Sequence, residues 1–510
     1  MLVGQVIAVG AQFIATKSGN LLSSKLEAKL TPRRDFRIIQ SRNKLRSYSV
    51  QLNEKKASYS GFRLVRLMTK PKLTYPFLAL MLGASGFAQA ADLLETYHAA
   101  QANDPQIAAA YATQLAGREK LPQGRALLLP SINLNANSAF NDQTTRYLGA
   151  SPFPSGTNRY NSHGYGVSVV QPLYRQQNWM AYSESELQVA QTDAQYRIAE
   201  QDLILRVAQA YFDVLIAQDS VQLAEAQKTA ISEQLEQAKR NFEVGSATIT
   251  DTLEAQARYD LTDAQEIAAE NNLEIKRRAL QQLINAMPKD LAPLGKGFSL
   301  ETRQLADMEK WVEEGQTSSP QLAVAQAAAE LAEKEVARNR GGHYPTIDLV
   351  ANYSNNNANG SGFGVGSDTT NKSIGVQLNI PLFQGGAVNS RWREAEANRE
   401  RARHELENAR RNVATQTRQA YLGVASGIAQ VKALQQALAS SESVLQASKL
   451  GQEVGVRTNL DVLNAQQQLY STRRDLYQAQ YNYLINQLRL KAAVGSLGEE
   501  DLSKVNQALH

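Results

Sequence analysis

Two aspartates stand in matching surroundings. Asp251 follows Gly245 by six residues in a stretch that begins Val244-Gly245 and ends Thr250-Asp251; Asp461 follows Gly455 by six in one that begins Val454-Gly455 and ends Leu460-Asp461. A carboxylate that opens a helix after a glycine turn complements the helix dipole and accepts from N–H groups that have no partner. Like carboxylates gathered around an axis would also raise one another's pKa and hold cations. Arg457 by itself reads as a solvated surface arginine. Other chemistry is poorly supplied. The chain has no cysteine, which removes thiolate metal sites, disulfides and cysteine catalysis. His98, His163, His343, His404 and His510 fit no metal-ligand spacing. There is no G-x-S-x-G, no Walker loop and no H-E-x-x-H. Gly360, Gly362, Gly364 and Gly366 alternate but precede no helix, so they read as a flexible loop. No catalytic site and no cofactor are expected.

The net charge of +5 over 510 residues hides a split. Residues 1–67 hold 13 Lys/Arg against 3 Asp/Glu, and the remainder is acidic by 5. A basic chain usually suggests nucleic acid; the acidic main body argues against that partner. Met68, Lys70 and Lys72 precede a mainly apolar run, 73–87, and then Ala88-Gln89-Ala90. This is the order of a secretory signal peptide. The expected leader is 68–90, with 1–67 an upstream segment and Ala91 the mature start. Beyond it no apolar run reaches the ~18–20 residues of a membrane helix. The exported protein is therefore expected to be soluble, or to cross a membrane as β-strands.

What must position the twin aspartates is a duplicated frame. Asp104-Pro105-Gln106-Ile107 returns as Ser319-Pro320-Gln321-Leu322, and Leu129-Pro130-Ser131-Ile132 as Tyr344-Pro345-Thr346-Ile347, each 215 residues on. Ala210-Tyr211 returns as Ala420-Tyr421, 210 on, as do the two glycine turns. Each half reads helix, strand, loop, strand, long helix, turn, helix. The strand signals are alternations: Ile132, Leu134, Ala136 and Phe140; Tyr165, Val167 and Val169; Ile347, Leu349, Ala351 and Tyr353; Ile374, Val376, Leu378 and Ile380. Each is expected to run about 8–10 residues, enough to cross a bilayer at a tilt. The stretches 141–163 and 354–372 read as hairpin loops. Phe140, Tyr160, Tyr165, Tyr174, Trp179, Tyr353 and Phe383 are expected near strand ends, as an interfacial girdle or as ordinary packing. The long helices are expected from a capping box at Ser183 and Glu186 to about Glu243, and from about Val388 to Val454. Rows at seven-residue intervals (Ile198, Leu205, Phe212; Val424, Val431, Leu438, Leu445) predict left-handed supercoiling.

Four membrane strands cannot close by themselves, because an open edge in lipid leaves backbone groups unpaired. Several chains must share one barrel. Two would give eight strands around a filled interior; three would give twelve around a lumen.

The glycine turns, the run Pro381-Leu382-Phe383-Gln384-Gly385-Gly386 and the run Tyr481-Asn482-Tyr483-Leu484-Ile485-Asn486-Gln487-Leu488 carry a resemblance to the TolC outer-membrane factor family. It covers nearly all of 91–510. The resemblance implies a mainly α protein with a β-barrel part. Its homotrimer would combine a 12-stranded outer-membrane barrel in lipid with a 12-helix periplasmic coiled-coil tunnel. Each chain would hold two repeats, 91–287 and 321–495, and a belt from 288–320 and 496–510. The implied function is efflux or type I secretion with a periplasmic adaptor and an inner-membrane efflux pump or ABC exporter. The resemblance places the adaptor at the turns of Gly245 and Gly455, a periplasmic gate at Thr250, Asp251, Gln452 and Arg457, and an entrance cation ring at Asp461 and Asn464. Two positions depart from the family pattern. Gln452 stands where tyrosine is usual, and Asn464 replaces an aspartate. A periplasmic helical-hairpin adaptor is the competing reading; four alternating strands argue against it.

Overall fold

The computed structural model describes residues 92–509 apart from Pro154, Lys289 and 296–306. The expected leader, the upstream segment, the mature start at Ala91 and part of the 288–320 belt lie outside the described residues. So does His510.

Prolines and caps punctuate the chain where the repeat places them. Asp104 ends α1 (Leu93–Asn103) and caps α2 (Pro105–Arg118), its carboxylate accepting from the Gln106 N–H at 3.1 Å. Ser319 stands at the same place before α7 (Pro320–Arg340). Proline at the first helical position has no N–H to orphan and a φ already suited to the helix. Pro130 and Pro345 then stand at the passages into β1 (Ser131–Thr145) and β3 (Thr346–Ala358). The short α3 (Lys120–Ala126) lies between α2 and β1, and α6 (Met308–Ser318) precedes α7. With β2 (Gly156–Tyr174) and β4 (Ser367–Asn379) the strands make one antiparallel sheet in the order β1-β2-β3-β4.

The register decides what this sheet is for. Leu134 pairs with Val167, Val167 with Tyr353; Val169 pairs with Ala351, Ala351 with Ile374. Directly paired residues share a face, so the apolar positions of all four strands fall on one side. Asn133, Ser168, Asn352 and Ser373 share the other. Leu134 is 73% exposed and Ile374 76%, so this chain leaves its apolar face uncovered. The strands run 13–19 residues, longer than expected. Their polar ends continue the ladder because side chains also bond across it. Asn141 donates to Ser162 at 2.9 Å, Arg159 to Asp142 at 2.9 Å, and Asn355 to Asp368 at 3.0 Å. The connecting segments shrink to 146–155 and 359–366. Tyr160 pairs with Asn141 on the polar face and donates to Gln143, so it does not belong to a girdle. Tyr174 regains the apolar face through an irregularity between Pro172 and Tyr174, beside a residue with no N–H for the ladder.

Both long helices start at the sheet. The helix α4 (Gln176–Glu243) begins seven residues before the expected capping box; Ser183 lies inside it, because β2 runs directly into the helix. Its counterpart α8 (Ala387–Glu453) follows Gly385 and Gly386, whose φ of +59° and +80° turn the chain through the left-handed region. At 68 and 67 residues each spans roughly 100 Å. The returning helices α5 (Ile249–Ile284) and α9 (Asn459–Val494) have 36 residues each. In α8 the buried residues Val388, Ala395 and Ala402, then Thr417, Val424 and Val431, recur every seven positions. No helix among the described residues is long and apolar enough to cross a membrane.

The core sits at mid-height. Tyr211 and Phe212 of α4 meet Tyr481, Leu484 and Leu488 of α9, under α1 and α10 (Glu499–Gln507). Fully burying such side chains contributes roughly 2–3 kcal/mol each. Residues 92–93 and α10 clasp across this belt: Asn506 accepts from the Leu93 N–H at 3.0 Å and donates to Asp92 at 2.9 Å.

Candidate functional site: the twin hairpin turns

Far from the sheet, the two long helices reverse through two turns of the same design. Gly245 and Gly455 adopt φ of +75° and +78°. The Ser246 N–H reaches back to Asn241 O at 2.8 Å, and the Val456 N–H to Gly451 O at 2.8 Å. Each is a six-to-one closure that satisfies the last carbonyls of a helix. Thr248 and Thr458 then start the next helix with capping boxes. Asp251 Oδ2 accepts from the Thr248 N–H at 2.9 Å and hydroxyl at 2.8 Å; Asp461 Oδ2 accepts from the same groups of Thr458, both at 2.9 Å. Thr248 Oγ1 and Thr458 Oγ1 accept the return bonds from Asp251 N and Asp461 N. The Thr458 N–H and hydroxyl, helped by Arg457 at 3.8 Å, hold the Asp461 carboxyl below the usual carboxylate range.

The capping role anticipated for both aspartates is therefore present. The other site residues divide. Gln452 donates to Asn459 at 3.3 Å, within its own turn. Arg457 reaches Asp461 and packs over Gly451, where a Cβ would come within 2.7 Å of its Cγ. Among the described residues, no hydrogen bond or ion pair joins Thr250 or Asp251 to Gln452 or Arg457 in one chain. Asn464 accepts from Arg258 at 2.9 Å, and the same guanidinium donates to Gln467. Sequence reasoning passed over Arg258. The available signal was its place one heptad beyond Asp251, on the same stripe of α5. Higher up, Lys228 of α4 bridges Asp263 and Glu266 of α5 at 2.6 and 2.7 Å, and both bonds raise its pKa. The turns end in exposed apolar residues: Val244 and Val456 are each 77% exposed.

A sheet whose strands can cross a bilayer, continued by helices about three times as long as the ~30 Å hydrocarbon layer is thick, defines an envelope protein of the channel class. The chain belongs to the outer membrane efflux protein family, whose profile matches residues 96–286 and 311–496. It is 35% identical to the outer membrane protein TolC of Vibrio cholerae over 443 residues, 86% of this chain and 98% of that protein. It is likewise 35% identical to the alkaline protease secretion protein AprF of Pseudomonas aeruginosa, over 85% of this chain and 90% of that one. The crystal structure of the outer membrane protein VceC of Vibrio cholerae superposes with a TM-score of 0.67 at 21% identity, covering 79% of this chain and 96% of VceC. The protein is thus an outer-membrane export channel, and the competing adaptor reading falls.

Proposed function

We propose that three copies of this chain close a 12-stranded barrel continuous with a 12-helix tunnel, each copy contributing two structural repeats. The assembly is a passive duct for small molecules and for secreted proteins. One observation carries the reading. Four strands place their apolar positions in register on one face, while among the described residues β1 and β4 each pair on one side only. In lipid those edges must find partners, and identical copies supply them, β4 of one against β1 of the next. Eight strands would leave the interior filled with side chains; twelve leave a lumen. AprF, named for protease secretion, supports protein cargo. The chain does no chemistry on its cargo, and an inner-membrane efflux pump or ABC exporter supplies the energy. A periplasmic adaptor meets the apolar tips at Gly245 and Gly455.

The gate is carried over from the family resemblance, as polar links between neighbouring helices at the tips. Among the described residues Thr250 and Asp251 make no bond to Gln452 or Arg457 of their own chain, and this reading assigns those links to neighbouring copies. Gln452, which donates to Asn459 within its own turn, stands where the family has tyrosine, so its gating bond differs from the family's. Asn464 carries no charge and is engaged by Arg258, so the entrance ring holds three carboxylates, from Asp461. Opening is a shift between two packings of the tips, set by a few such polar links. Single-channel recording tests this directly. Asp251→Ala combined with Arg457→Ala is expected to raise conductance severalfold; an unchanged conductance counts against the gate. Asp461→Ala should abolish block by divalent cations, and persistent block would remove the ring.

A further inference from the structure

The middle of α4 has two opposed faces. Leu203, Val207, Tyr211 and Leu215 belong to the buried core cluster that also takes in Leu93 and Tyr97 of α1 and Leu502 and Val505 of α10. About half a turn round the helix lie Asp202, Leu205, Arg206, Gln209 and Asp213. Leu205, Arg206, Gln209 and Asp213 of this second face floor a groove of about 420 Å³, walled by Lys276, Ala279 and Leu283 of α5 and by Ile485 and Arg489 of α9. A further hollow of about 440 Å³ adjoins it, sharing Leu205 and Arg489, and carries the carboxamides of Gln201, Gln321, Gln416, Gln419 and Asn486. In the proposed tube the face under α1 and α10 must be the outer one, since a belt inside would block the lumen. The groove then faces the conduit, and the inference rests on that reading.

The charges in the groove are unevenly matched. Arg206 is held by Asp104 at 2.6 Å and Asp202 at 2.7 Å. Lys276 is neutralised by Asp213 at 2.7 Å. Arg489 donates only to the neutral Gln209, at 3.1 Å, and among the described residues no carboxylate pairs with it. One guanidinium without a counter-charge thus stands beside apolar walls from Leu205, Ala210, Ala279 and Leu283. A volume of this size lies within the ~300–1,000 Å³ of small-molecule sites. We infer that the groove is a way-station in the tunnel wall for amphipathic organic monoanions. The acid head would lie on Arg489, with neighbouring carboxamides as further donors, and the apolar body would lie against the aliphatic wall. Charge-assisted bonds to a guanidinium are among the stronger polar contacts available.

The test uses the assembled full-length protein in a planar bilayer. Naphthalene-2-sulfonate is titrated beside its uncharged match, naphthalene-2-methanol. The sulfonate is expected to interrupt the current and the alcohol to leave it steady. Arg489→Gln should raise the half-blocking concentration on the order of tenfold, equivalent to ~1.4 kcal/mol, and Arg489→Lys by less. Ala279→Trp, which fills the groove from α5, should also weaken block. Equal block in wild type and Arg489→Gln, or equal block by the alcohol, overturns the inference. Equilibrium dialysis against the solubilised assembly reads binding without conduction. Sulfonate binding that Arg489→Gln abolishes, in a protein that passes no current, would sink the channel and leave the groove. Absence of sulfonate binding in a conducting wild-type channel would do the reverse.

Discussion

Residues at the tips and in the core differ in how openly the sequence declares them. Asp251 and Asp461 could be recognised as caps because all the geometry is local: a glycine, a threonine three residues back and a helix to open. The cap gives a prediction. Thr248→Ala removes both the hydroxyl that Asp251 accepts from and the acceptor for its N–H. It should cost about 1 kcal/mol of local stability, read as faster hydrogen exchange at amides 248–251 with unchanged exchange in the core. Asp219 could not be recognised, because its partner lies 262 positions away. The Tyr481 hydroxyl donates to its carboxylate at 3.0 Å, and burial raises its pKa to about 6. A raised carboxyl binds its proton more tightly folded than unfolded. Its contribution to stability is complete below the ordinary pKa and is lost as pH rises through about 6. Wild type should therefore melt at a higher temperature at pH 5 than at pH 7.5, and Asp219→Asn should narrow that difference. An undiminished difference in the variant would exclude Asp219 as its source.

Among the elements, periodicity revealed type better than extent. Alternation places all four strands, yet their polar ends read as loops, because Asn, Ser and Thr signal turns until a neighbouring strand supplies partners. Asn141 with Ser162, and Asn355 with Asp368, show those partners. The start of α4 was missed for a related reason. Ser183 and Glu186 fit a local cap, but β2 delivers the chain already helical at Gln176. The two faces of the sheet make a sharp expectation. Leu134→Arg puts a charge on the apolar face and should cost roughly 2–4 kcal/mol if that face meets lipid near the midplane. Asn135→Arg, one residue on and on the opposite face, should be tolerated. The amount of protein recovered assembled from the outer membrane measures both. Equal loss for the two variants would mean that the faces do not separate lipid from water.

At the scale of the whole molecule, the recurrence of motifs 210–215 residues apart and the four strand signals were legible in the sequence. The ordering of the four strands into one sheet with β1 and β4 outermost was not, since it depends on β2 meeting β3 across the two halves. That order sets up the most direct test of the shared barrel. The outermost strands are three spacings apart, roughly 14 Å, too far for a disulfide within one chain. With no native cysteine, a cysteine at Asn135 of β1 can be combined in turn with cysteines from Ser373 to Gln377 of β4 and oxidised in intact membranes. A barrel shared by three chains gives, for at least one pairing, a covalent ladder that ends at three chains. Chains that stay single at every pairing, or a ladder that ends at two or runs on without limit, would contradict it.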